Sequence, residues 1–240
     1  MLNQDSYKQH ISEQFNEELD GVKSRMLEMG GVVEAQISMA VAALVNTESG
    51  EAEAVVARDD EVNALEVEID EECSRILARR QPAASDLRLV LAISKVITDL
   101  ERIGDEAAKI ARQAINLSEE GASPSGYVEI RHIGGHVAIM VREALDAFAR
   151  LDAEAAVKVA LEDSVVDQEY GNAMRSLVTY MMEDPREIGA ILNEIWALRS
   201  LERIGDHARN IAEHVIYLVK GLNVRHVELD EVIARLEEHH

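Results

Sequence analysis

The sequence predicts an all-α fold, a tandem duplication of two three-helix bundles, from three observations. Aromatic residues make up only 3% of the 240 positions, too few for a fold that leans on aromatic and β-branched cross-strand pairs. With only three Pro and 13 Gly, the chain lacks the punctuation that many short strands require. The string Leu100–Glu101–Arg102–Ile103–Gly104–Asp105 also returns 101 residues later as Leu201–Glu202–Arg203–Ile204–Gly205–Asp206. The likeness continues downstream, where Ile110–Ala111 answers Ile211–Ala212, and upstream, where Pro82 answers Pro185. Self-similarity at a fixed period marks a duplicated structural unit.

The elements follow in order. A long helix is expected from about Glu18 to Val45, with Met26, Val33, Ile37 and Ala40 on its apolar face. The polar, glycine-containing stretch from Asn46 to Gly50 ends it. A second helix from about Ala52 to Ala78 carries Val55, Val62, Leu65, Ile69, Cys73 and Ile76 at three- and four-residue steps. The third begins near Ser85 and bears Leu89, Ile93, Val96, Leu100, Ile103, Ala107, Ile110, Ala114 and Leu117, the seam of a helical bundle. The first unit thus covers residues 1–120, a linker 121–126, and the second unit 127–222. Its helices are expected at Tyr127–Arg150, Ala153–Glu183 and Arg186–Lys220. A tail of 223–240 has spacing for one short helix, and whether its terminal His239–His240 is vector-derived stays open.

With 24 Lys+Arg against 46 Asp+Glu, the net charge is −22. Such a chain offers no basic track to phosphate backbones or anionic headgroups, so nucleic-acid binding is not expected. The lone Cys73 forms no internal disulfide and suits a reducing compartment. The polar N-terminus does not read as a signal peptide, and the longest apolar run, Ile37 to Val45, is too short to cross a bilayer. A cytoplasmic location without membrane insertion is the expectation.

The chemistry concentrates in carboxylates. Glu101 and Asp105 stand four apart on one helix face, as do Glu202 and Asp206. Like charges at that spacing repel by about 0.2–0.5 kcal/mol unless a cation relieves them. The second helix of each unit offers matching pairs, Asp163 with Asp167 and Asp59 with Asn63. Hard divalent cations take several such oxygens from more than one helix. A solvated face is the other reading, and Lys109, four beyond Asp105, could serve as a local partner. Gly104 and Gly205 separate the carboxylates in both copies, either for a bound ion or for close helix packing. Other sites are weaker. A di-iron centre needs two ExxH pairs, and only Glu129 with His132 lies within the bundles. His207 points away from the carboxylates and reads as a rim residue. Met181, Met182 and Trp196 read as core or interface packing, and no phosphate cradle or nucleophile motif occurs.

The stretch RRQPAASDLRLVLAISKVITDLERIGDEAAKIA, Arg79 to Ala111, and the second SLERIGDHARNIAEH resemble the PhoU family of phosphate-uptake regulators. The resemblance spans the two-unit duplication. It implies a negative regulator of phosphate uptake and phosphate-starvation signalling, and no catalysis. Its implied partners are the ATPase subunit of the phosphate ABC transporter, the phosphate-sensing histidine kinase and a second copy of itself as a homodimer. It also implies metal clusters of Mg, Mn, Fe or Zn on E(D)xxxD motifs. Here these fall on Glu101/Asp105, Glu202/Asp206 and Asp163/Asp167, with the fourth degraded to Asp59/Asn63. An amide neutralises no charge, so the second unit, with four carboxylates, is expected to bind metal more tightly. The alternative is a carboxylate-bridged metal enzyme acting on phosphate compounds, which would need a positioned acid or base that the motifs do not offer.

Overall fold

The computed structural model describes residues 4–122, 125–221 and 223–224, with side chains from Glu13 onward. The described residues form six long helices and no strand: α1 (Gln4–Asn46), α2 (Ser49–Arg80), α3 (Ala84–Glu119), α4 (Tyr127–Arg150), α5 (Ala153–Glu183) and α6 (Ile188–Lys220). A single 3-10 turn, Pro185–Glu187, precedes α6, with Asp184 capping it through the amide of Arg186. The short helix expected in the tail lies outside the described residues. Helix α1 begins well before Glu18, since no Gly or Pro interrupts its polar leading turns.

The first three helices pack on one another, and so do the last three. The connections repeat as well. Thr47 between α1 and α2, and Leu151 between α4 and α5, both adopt left-handed backbone. At each, the next amide reaches back five residues, Glu48 to Ala43 and Asp152 to Ala147, both at 2.9 Å. The same helix-ending hydrogen bonds therefore close both hairpins. Asp152 adds a side-chain cap on the amide of Ala155 at 2.9 Å.

Helices α3 and α6 lie at the centre. Eight of the nine expected seam residues of α3 are buried, and Leu89 packs partly buried against them. Between the bundles α3 runs antiparallel to α6, since Asp99 meets His207 and Glu106 meets Arg203. Likewise α1 runs antiparallel to α4, with Lys23 donating to the carbonyl of Ala149 at 2.8 Å and Arg142 paired with Glu34. One continuous core results. The later part of α1 is long and apolar enough to span a membrane by composition, but half of that window is buried. Met26, Met29, Val33, Ile37 and Leu44 have no exposed surface there, so α1 is a core helix of the bundle.

Of the core and interface readings, the core one falls for two residues. Trp196 and Met182 are exposed, at 62% and 81%, so neither is core. Their helix positions face outward because the neighbouring Ala197 and the preceding Leu177 take the inward register. Cys73 is buried on its seam, and burial pushes its thiol up to about 12, leaving it inert at neutral pH.

The start of α4 depends on a remote carboxylate. Glu194 of α6 is fully buried and accepts hydrogen bonds from the amides of Ser125 and Gly126, at 2.8 and 2.6 Å. A side chain at Gly126 would lie 2.8 Å from that carboxylate and from Leu177 Cδ2, so it would displace the hydrogen-bonded carboxylate or the leucine tip. Glu194→Ala is expected to strand both donors, at about 1–3 kcal/mol for each. Urea denaturation of the variant should show that loss with no change in helix content.

Candidate metal centre

The bundle geometry gathers the sequence-predicted carboxylates into two sets, one per unit. In the first, Asp59 and Asn63 of α2 face Glu101 and Asp105 of α3, all half-buried. Burial raises the carboxyl of Asp59, and the charge of Asp105 raises it further. Glu101 is raised by burial first, then by Asp105, Glu66 and Asp59. Glu66 is thus a member of this set that the motif reading missed. Its signal was its place seven residues after Asp59, on the same helix face.

In the second set, Asp163 is buried, Glu202 half-buried, and Asp167 and Asp206 exposed. Burial raises Asp163, Glu202 and Asp206, and neighbouring carboxylates add to this at each. Two guanidinium groups offset part of that charge. Arg209 bonds Asp163 at 3.1 Å and Glu213 at 3.1 Å, while Arg199 bonds Glu202 at 2.7 Å. Lys109, considered as a partner for Asp105, instead pairs with Glu106 at 3.0 Å.

The charge ranking of the two units therefore changes. With Glu66, the first unit also brings four carboxylates together, and Asn63 adds an amide oxygen. Neither Glu101 nor Asp105 forms an ion pair among the described residues, whereas two members of the second set do. The expectation of tighter binding in the second unit loses its basis.

The glycines have a steric reason. A side chain at Gly104 would stand 3.3 Å from Val62 of α2 and 3.3 Å from the buried amide oxygen of Gln36. At Gly205 it would stand 3.4 Å from Val166 of α5 and 3.7 Å from Val137 of α4. The approach is tight at Gly104 and ordinary van der Waals contact at Gly205, and in both units it brings the flanking carboxylates near the neighbouring helix.

Several oxygens in these sets lack partners. Asp59 Oδ1, Asn63 Oδ1 and Glu202 Oε2 are buried without a hydrogen bond, a costly state for acceptors. Among the described residues, no three acidic, histidine or cysteine side chains converge as they stand on one ion position. The sets are open arrays of oxygen donors, of the kind hard cations prefer. His132, from the lone ExxH pair, bonds Glu169 at 3.0 Å instead. His207 is not a rim residue: it is buried at the α3–α6 seam, 2.9 Å from Asp99.

The family pattern of the PhoU domain matches residues 26–114 and again 130–215. The chain belongs to the PhoU family. It is 63% identical over 237 residues to a phosphate-specific transport system accessory protein PhoU homolog of Pseudomonas aeruginosa, covering 99% of this chain and 98% of that protein. It is 49% identical to the PhoU accessory protein of Escherichia coli, over 94% of each chain. The crystal structure of PhoU from Pseudomonas aeruginosa superposes with a TM-score of 0.84 at 66% identity, over 87% of this chain and all of that one. That of the phosphate transport system regulatory protein PhoU from Streptococcus pneumoniae gives 0.81 at 30% identity, over 88% of this chain and 99% of that one. The family is one of regulatory accessory proteins, not of enzymes.

A pH dependence follows. A carboxyl whose folded-state pKa is raised holds its proton more tightly folded than unfolded. Asp59, Glu101, Asp163, Glu202 and Asp206 therefore make stability fall as pH rises through and above the ordinary carboxylate range. Metal-free protein should melt higher at mildly acidic than at neutral pH. The part owed to the second set should shrink in Glu202→Gln/Asp206→Asn to what buried Asp163 retains, measured by scanning calorimetry of both proteins across that range.

Proposed function

We propose that this protein is a negative regulator of phosphate uptake and phosphate-starvation signalling. It works as a cytoplasmic, homodimeric, metal-binding adaptor between the ATPase subunit of the phosphate ABC transporter and the phosphate-sensing histidine kinase. The observation that carries the reading is near-full-length similarity to phosphate-specific transport system accessory proteins. What the molecule offers is binding: long helical faces, exposed side chains such as Trp196, Leu192 and Met182 for partners, and two arrays of oxygens.

Metal fits those arrays on two grounds. Their buried, unpartnered oxygens are acceptors that a cation would satisfy, and their mutual repulsion is a cost that a cation would remove. Asp59, Asn63, Glu66, Glu101 and Asp105 would hold one centre, and Asp163, Asp167, Glu202 and Asp206 the other. Mg, Mn, Fe or Zn bound there would supply positive charge that ties α2 to α3 and α5 to α6, ordering the surface that partners meet.

The test is a pull-down of the kinase and the transporter ATPase at high and low phosphate, with chelated and Mn²⁺-loaded protein. Retention of both partners at high phosphate is expected, and capture of neither would overturn the adaptor reading. Melting curves give the metal part. An ion that binds only the folded state adds about 2.7 kcal/mol at a hundredfold excess over Kd. Glu101→Gln/Asp105→Asn should remove at least as much of that gain as Glu202→Gln/Asp206→Asn. Without metal, neither variant should be less stable than the parent, since each lifts repulsion. A parent melting temperature that ignores Mn²⁺ after chelation would leave the carboxylates a solvated face.

A further inference from the structure

Beside the carboxylate array of the first unit, α3 and α6 line an open cleft of about 560 Å³ with Ser94, Lys95, Thr98, Asp99, Arg102, Asn210 and His214. That volume is in the range of small-molecule sites. Its floor is the buried carboxylate of Asp99. His207 Nδ1 and Asn210 Nδ2 donate to Asp99 Oδ1 at 2.9 and 3.2 Å, and His214 Nε2 donates to Oδ2 at 3.2 Å. Burial pushes this carboxyl up, but the hydrogen bonds from His207 and His214 outweigh it and hold it at about 2. Asp99 is therefore an anion already saturated with donors, and it fixes the orientation of Asn210 and His214 beside the opening. The hydroxyls of the wall are engaged too, Ser94 with Asp70 at 2.9 Å, and Thr98 with the Ser94 carbonyl at 3.2 Å and Glu66 at 3.4 Å.

The cations are what remain uncommitted to carboxylates. Lys95 stands over the ring of Tyr217, 5.6 Å from its centroid, and neither it nor Arg102 forms a salt bridge among the described residues. The duplication shows why Arg102 is spared. Its repeat partner Arg203 is neutralised by Glu106 at 2.9 Å, but the position matching Glu106 is His207, which is drawn to Asp99 instead. Likewise the position matching Asp99 is Ser200 and that matching Lys95 is Trp196. One side of the seam is a closed ion-pair network. The other presents an ammonium, a guanidinium and an amide N–H to a cavity, in a chain of net charge −22.

We propose that this cleft binds a tetrahedral oxyanion, inorganic phosphate or the phosphate group of a small nucleotide, on Lys95, Arg102 and Asn210. Arg102 supplies the planar fork that matches two phosphate oxygens, and Lys95 a point charge. The site uses residues other than those of the carboxylate arrays, although its wall meets the first array where Thr98 bonds Glu66, and it stands whether or not the adaptor reading does.

Isothermal titration of the chelator-treated full chain with inorganic phosphate, and separately with adenosine monophosphate, tests it in buffer at physiological chloride. Saturable binding of at least one probe is expected, and inorganic phosphate binding alone identifies the free ion as the source. Arg102→Gln should weaken binding about tenfold, and Lys95→Gln/Arg102→Gln should abolish it. Both residues are exposed, and unchanged melting curves would verify that the variants fold. Arg203→Gln, on the opposite side of the seam, should bind as the parent does. Absence of saturable binding with either probe at millimolar concentration overturns the proposal, as does binding that survives the double substitution. Partner capture is read by pull-down and fails independently of this titration.

Discussion

Helices α3 and α6 must each satisfy three neighbours at once, and most other features of the molecule follow from that demand. Each packs against the other two helices of its own bundle and against the other central helix. A helix so surrounded has little perimeter left for polar groups. Its charges are forced into narrow strips where two neighbours part. Glu101 and Asp105 occupy the strip facing α2, and Glu202 and Asp206 the strip facing α5. The glycines inside these pairs then draw Val62 and Val166 close, which narrows the strips and presses carboxylates from both helices into one field. Crowded charge here is a consequence of the packing that makes the core.

The local half of this organisation was legible in the sequence. The α3 seam and the extents of α2 to α6 rest on periodicity within a few turns, which the 3.6-residue repeat writes directly into the chain. The duplication rests on a string that returns 101 residues later. Cross-chain choices were not legible. Glu66 looked like an ordinary surface acid until α2 met α3. Glu194 caps α4 from 68 residues away, and His207 finds Asp99 across 108. The charge count behind the ranking of the two carboxylate sets changes for the same reason, because Arg209 and Arg199 enter the second set only through tertiary or turn-spaced geometry that no E(D)xxxD pattern encodes. Spacing names groups that can share a face. Which counter-charges arrive there is decided by packing.

The duplication makes the divergence between halves readable as chemistry. Gln36 and Val137 occupy the same place against the paired glycines, so one bundle buries an unpartnered amide where the other buries a methyl pair. An unsatisfied buried amide costs free energy, and it sits in the half that also leaves Asp59 Oδ1 and Asn63 Oδ1 without partners. The first unit thus carries the greater unrelieved polar burden. The second leaves Glu202 Oε2 unpartnered but ties Glu202 and Asp163 into ion pairs with Arg199 and Arg209. Pairs already made must be broken or shared before a cation can enter, whereas orphan oxygens give up nothing.

The charged features also lie on different faces of the same two helices. On α3, Glu101 and Asp105 face α2 while Lys95, Asp99 and Arg102 face the cleft shared with α6. Residues one apart project about 100° from each other on a helix, so Glu101 and Arg102 address different surroundings from adjacent positions. The charge of Arg102 already offsets part of the rise that burial and Asp105 impose on the carboxyl of Glu101. Neutralising either face therefore alters the field at the other without any backbone movement. Coupling between two ligands is a free energy and is reciprocal. If both ligands bind as proposed, a cation that lifts the carboxylate field would weaken the hold of Glu101 on Arg102 and leave more of that guanidinium's charge for an anion. In this molecule the shortest physical route between its acidic and basic faces is a single peptide bond in α3.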